Sequence, residues 1–195
     1  MIKDSGNRRE FESGAQRDVQ AGKGRCDLLP LEAIGTLMQN EVLINIGKYI
    51  YDGDPLRLWE VIHCVADRYF SSESDERGFY TALLEVSKHY EDGAKKYAER
   101  NWEKGIPLHC YIDSGVRHYL KLKRGDSDER HDRAFIWNML GAIWTQEKVP
   151  EMIDLPFVER MTRPVKYEDK GCVSCGDYAP EGRQVCGRCE GSGEK

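Results

Sequence analysis

Apolar positions recur every three or four residues through most of the chain that follows Pro30. Leu31, Ile34, Leu37 and Met38 lead to Val42, Ile44, Ile46 and Ile50, and the turn sequence Asp52-Gly53-Asp54-Pro55 breaks the run. Pro55 suits the first turn of the next helix, which carries Leu56, Leu58, Trp59, Ile62, Val65, Ala66 and Phe70 and stops at the polar stretch 71–78. A longer helix follows, with Phe79, Leu83, Leu84, Val86, His89, Tyr90, Ala94 and Tyr97. After the loop from Asn101 to Pro107 come helices from about Leu108 to Lys123 and from about Glu129 to Gln146. Period-two alternation is not convincing anywhere in this region, so the pattern predicts an all-α domain.

The last of these helices is apolar nearly all round, with Ala134, Phe135, Ile136, Trp137, Met139, Leu140, Ala142, Ile143 and Trp144, and is therefore predicted to be buried. His131 and Asn138 lie seven residues apart on one of its faces, beside the small Ala134 and Ala142. Leaving a buried imidazole or amide unpaired costs about 1 to 3 kcal/mol, so both are expected to meet neighbouring helices or a ligand.

The flanks differ. Residues 1–29 are rich in Gly, Arg, Lys, Asp and Gln with little periodicity, and read as an arm docking on the helical domain at 30–150. A connector at 151–170 leads to a tail at 171–195, where CVSC (Cys172, Cys175) and CGRC (Cys186, Cys189) stand ten residues apart. Each pair can place two thiolates on one tetrahedral ion, and four thiolates select zinc or iron, zinc being the commoner structural occupant. The tail has almost no apolar residues, so zinc binding would supply its folding energy.

Seven cysteines in 195 residues are an odd count with no export signal before them, which favours reduced thiols; Cys26, Cys64 and Cys110 stand alone. No run approaches the eighteen or so apolar residues of a membrane span, and the expectation is a soluble, cytoplasmic protein without a membrane partner. A net charge of −5 excludes a broad cationic face, so phosphate must be met by a few placed cations and any nucleic-acid contact is left to the zinc tail.

Four clusters combine such cations with polar groups. Lys23 and Arg25 lie on the flexible Gly22-Lys23-Gly24-Arg25 stretch. In the second cluster Glu91 and Lys95 are four apart on one helix, where a solvated ion pair is the plain alternative, and Lys96, Tyr97, Arg100, Asn101 and Trp102 follow. An aromatic face beside a cation and an amide can hold a nucleobase, although Trp102 also reads as a core plug. Asp113 and Arg117, again four apart, border the apolar stripe of their helix, with His118 at its other border. His131 and Asn138 form the fourth.

At these clusters, in REFESGAQRDVQAGKGRCDLLP, HYEDGAKKYAERNWEKGIPL, YIDSGVRHYLKL and HDRAFIWN, the sequence resembles a phage family of dATP/dGTP diphosphohydrolase N-terminal domains, grouped with the MazG-like all-α nucleoside triphosphate pyrophosphohydrolases. The likeness spans most of Arg9 to Trp144, with what looks like an enlarged helical region between Leu37 and Tyr80. It implies hydrolysis of a purine deoxynucleoside triphosphate to monophosphate and pyrophosphate, with Mg²⁺ or Mn²⁺, in a homo-oligomer, in the host cytoplasm if phage-encoded. On this reading Glu91 and Asp113 hold the metal, Lys23, Arg25, Lys95, Lys96, Arg100 and Arg117 meet phosphates, Tyr97, Asn101 and Trp102 meet the base, His118 contacts the nucleotide, and His131 and Asn138 position water or sugar. The paired ExxE and ExxD carboxylates of the better-understood enzymes are incomplete here. The alternative is therefore a protein that only binds, sequestering a signalling nucleotide. A histidine-aspartate metal site from His118, His131, Asp132 and Asp154, and a zinc-tailed scaffold, are further readings.

Overall fold

The computed structural model describes residues 6–70 and 77–162. Cys172, Cys175, Cys186 and Cys189 lie outside the described residues. By chain contacts the molecule divides into Met1–Val158 and Glu159–Lys195.

The described chain is mostly helical: α1 (Leu31–Met38), α2 (Glu41–Asp52), α3 (Pro55–Phe70), α4 (Arg77–Tyr97), α5 (Leu108–Arg124), α6 (His131–Lys148) and α7 (Phe157–Thr162). None of the described helices is long and apolar enough to cross a membrane. The first apolar run forms two helices. Gln39 takes a left-handed conformation (φ 52°) that closes α1, and the Asn40 side chain then accepts from the Leu43 amide to cap α2.

α6 lies against α3, α4 and α5, and Ala134, Phe135, Ile136, Met139 and Ala142 are fully buried, as its all-round apolar pattern requires. Gly141 lets α5 come close: a Cβ there would stand 2.3 Å from Cε1 of Tyr111, itself fully buried. Gly141→Ala is expected to lower stability by about 1 to 3 kcal/mol, since that ring has no free space to yield into. Urea unfolding checks this, and an unchanged midpoint would contradict the close packing.

Within residues 6–29 the arm contains a sheet that the pattern did not predict. Strands β1 (Arg8–Glu10) and β2 (Gln16–Asp18) pair antiparallel with Arg9 opposite Arg17. The side-chain amide of Asn101 extends this hairpin: Oδ1 accepts from the Gln16 amide and Nδ2 donates to the Gln16 carbonyl, both at 2.9 Å. Further along, a 3₁₀ turn at Cys26–Leu28 sits on α5.

Candidate functional site

The hairpin, α4, α5 and α6 enclose a cavity of about 660 Å³. Its charge comes first from the hairpin. Paired opposite each other, Arg9 and Arg17 both line the cavity, and neither pairs with a carboxylate among the described residues. One Arg17 nitrogen, Nη2, donates to Asn138 Oδ1 at 2.8 Å, while Nη1 is buried without a partner among the described residues. The guanidinium lies over the rings of Tyr111 and Trp137, 5.2 and 5.5 Å from their centroids. Burial lowers its pKa from the usual arginine value, the direction expected of a cation removed from water.

Asp18 pairs with Arg8, Lys23 and Lys96 at 3.1, 3.9 and 3.1 Å. Burial also lowers the Lys23 pKa. The aromatic walls are Tyr90, Tyr97, Trp102 and Trp137, with Trp102 set edge-on to both Tyr90 and Trp144. His89 packs against Trp137, and burial brings its pKa down to about 4, leaving it neutral near pH 7.

Asp113 is the tie between arm and core. Its buried carboxylate accepts from the Cys26 amide (2.6 Å), Gln20 Nε2 (2.8 Å) and Arg117 Nη2 (2.5 Å), and Arg117 also donates to the Lys23 and Gly24 carbonyls. Glu91, by contrast, is exposed and ion-paired to Lys95 at 2.5 Å. As a pair of metal ligands for Mg²⁺ or Mn²⁺ the two do not fit: one carboxylate is filled by three donors and the other turns to a lysine in solvent. The histidine-aspartate alternative fits no better, because Asp132 pairs with Arg130 and Asp154 with His109.

Lys23, Glu91, Lys96, Tyr97, Arg100, Asn101, Trp102, Asp113, Arg117, His118 and Asn138 all line the one cavity. Arg25 instead pairs with Asp27, Lys95 stands in solvent, and His131 lies behind His118, its side chain fully buried. Arg100 is mostly exposed and paired with Glu103. Among the cavity residues that the sequence patterns did not single out are Arg9, Arg17, Asp18, Gln20 and Trp137. The two arginines flank a Ser-Gly turn at positions that a short hairpin brings together, which is the signal that was available.

Beside the cavity, the Asp154 carboxylate binds His109 Nδ1, while His109 Nε2 lies 3.2 Å from Cys110 Sγ, which also accepts from Arg9 Nη2 at 2.9 Å. The hydrogen bond to Asp154, helped by Cys110, raises the His109 pKa from 6.5 to about 10. A raised imidazole pKa contributes stability that is fully present below the unfolded value of 6.5 and lost as pH rises through about 10. Asp154→Asn is therefore expected to lower the thermal midpoint more at pH 6 than at pH 10. Equal losses at both pH values would contradict a charged His109.

Fold and site together define an all-α domain with a cationic, aromatic-walled cavity. Residues 76–154 match the model of a family described as dATP/dGTP diphosphohydrolase, N-terminal. The matched segment carries α4, α5 and α6 but not the hairpin that supplies Arg9 and Arg17. No curated protein and no solved structure matches the chain.

Proposed function

We propose that the cavity binds a purine nucleoside or deoxynucleoside triphosphate and that the protein hydrolyses it to the monophosphate and pyrophosphate. The observation that carries the binding half is Arg17. A guanidinium taken out of water with no carboxylate partner among the described residues is costly, and an anionic ligand on Nη1 would offset that cost. The planar donor set suits a phosphate oxygen. Lys23, Lys96 and Arg117 add positive charge along the same wall, and Tyr90, Tyr97 and Trp102 offer ring faces and edges for a base. A volume of about 660 Å³ lies within the usual range for small-molecule sites, roughly 300 to 1,000 Å³.

The hydrolytic half rests on the family match of residues 76–154. Against it stands the internal pairing of Asp18, Asp113 and Glu91, which favours the second reading, a protein that retains a nucleotide unchanged. In either case the four-cysteine tail is, from its spacing, a structural zinc module that takes no part in the chemistry.

Incubation with Mg²⁺ or Mn²⁺ and a panel of ribo- and deoxynucleoside triphosphates, followed by chromatography of free and protein-bound nucleotide, separates these readings. Monophosphate and pyrophosphate establish the hydrolase. Intact nucleotide found with the protein establishes the binder, and nucleotide that is neither cleaved nor retained rejects both.

A further inference from the structure

We propose that His118, Glu129 and His131 form a binding site for a divalent transition-metal ion at the edge of the cavity. His118 comes from α5, His131 opens α6, and Glu129 lies in the short connection between the two helices. His118 Nδ1 and His131 Nδ1 face each other at 3.0 Å, and Glu129 Oε1 lies 3.6 Å from the first and 3.7 Å from the second. A triangle with those sides has its centre about 2.0 Å from each corner, the length of a zinc–imidazole or zinc–carboxylate bond, about 2.0 to 2.2 Å.

The surroundings fit a metal in three further respects. His131 Nε2 lies 2.8 Å from Asp128 Oδ1, and a carboxylate on that nitrogen holds the proton there and leaves the lone pair on Nδ1, where the metal would sit. The side chains are largely out of water, at 16% exposed for His118, 11% for Glu129 and 0% for His131. Glu129 has no lysine or arginine ion-pair partner among the described residues, and its nearly buried charge faces the two imidazoles. Of the other nearby acids, Asp126 is taken by Arg124 and Asp132 by Arg130.

Two imidazoles and one carboxylate suit zinc, manganese or iron better than magnesium or calcium, which take oxygen ligands. Three protein ligands leave a coordination position open, and His118 and Glu129 both line the cavity, so that position is reached from it. The site stands apart from the nucleotide reading and is tested with the metal alone. The competing arrangement is one proton shared between the two Nδ1 atoms, which needs no metal and leaves Glu129 uncompensated.

The test is the zinc content of the reduced full-length chain after loading with Zn²⁺ and removal of the excess, compared with Glu129→Gln and His118→Ala. Glu129→Gln keeps the shape and hydrogen-bonding reach of the side chain, and circular dichroism reports whether each variant is folded. Whatever the tail holds is common to all three proteins. The wild type is expected to carry one more zinc per chain than either variant, and Zn²⁺ is expected to raise the thermal midpoint of the helical unit in the wild type alone. Equal zinc content in the wild type and a folded Glu129→Gln variant would overturn the site and leave the shared proton in its place.

Discussion

Arg17→Met is expected to lose nucleotide binding by roughly 30- to 1,000-fold, the equivalent of ~2 to 4 kcal/mol for a buried charged contact, while the thermal midpoint falls by no more than a few degrees. The two effects separate because the guanidinium, unliganded, is a burden on the fold. It lies in a wall of Tyr111 and Trp137, donates to one neutral amide on Asn138, and has no carboxylate partner among the described residues. Methionine fills most of the space without the charge, and replacing a buried charge by an apolar side chain is often neutral or stabilising. The loss that remains is the donor to Asn138 Oδ1, about 1 kcal/mol. Stability held at the cost of function is the signature of a site residue. If Arg17→Met unfolded the protein and left the affinity of the folded fraction intact, Arg17 would be part of the scaffold only.

Asp113→Ala is expected to detach the arm and cost roughly 3 to 5 kcal/mol of stability, the range for breaking a buried ion pair from one side. Three donors lose their acceptor at once: the Cys26 amide, the Gln20 amide group and the Arg117 guanidinium. Hydrogen exchange should then quicken at the arm amides, above all at Gln16, whose N–H is held by Asn101. Nucleotide binding should fall with it, because the arm carries Arg17. Asp113→Asn should recover part of the stability, since its remaining carbonyl oxygen can still accept from Cys26. Were Asp113 purely a metal ligand, the alanine variant would keep the arm protected and lose metal affinity alone.

The helices were readable because each carries enough turns for the three-and-four spacing to stand out, and Pro55 marks a start that the structure keeps. α6 was readable for the opposite reason: with no polar face it had to be buried. The break at Gln39 and Asn40 was not, because a left-handed residue there is a glutamine rather than the glycine that usually announces one. The hairpin escaped because strands of three residues are too short to alternate visibly, and because Asn101, some eighty positions away, supplies the pairing that extends its edge.

The same distinction runs through the site. Residue types that favour phosphate and bases were visible on α4 and α5, and they do line one cavity. Which of them are committed to holding the protein together depended on tertiary contacts. Asp113 and Asn101 look like site residues in sequence, yet Asn101 pairs with Gln16 of the arm and Asp113 accepts from Cys26 and Gln20 of the arm as well as from Arg117. His131 and Asn138 were expected to need partners, and those partners are Asp128 and His118 for the first and Arg17 with the Ala134 carbonyl for the second. Arg17 itself sits in a stretch without periodicity, where nothing local indicates that it is buried.

The most direct measurement is calorimetric titration of the full-length protein with deoxyguanosine and its mono-, di- and triphosphate under conditions that prevent turnover. Affinity should climb with each phosphate, the triphosphate binding at least ten-fold tighter than the monophosphate, and the gain should shrink as salt is raised and largely vanish in Arg17→Met. Equal affinity for the nucleoside and the triphosphate, or no binding of any of them, would contradict a phosphate-holding cavity built on Arg17.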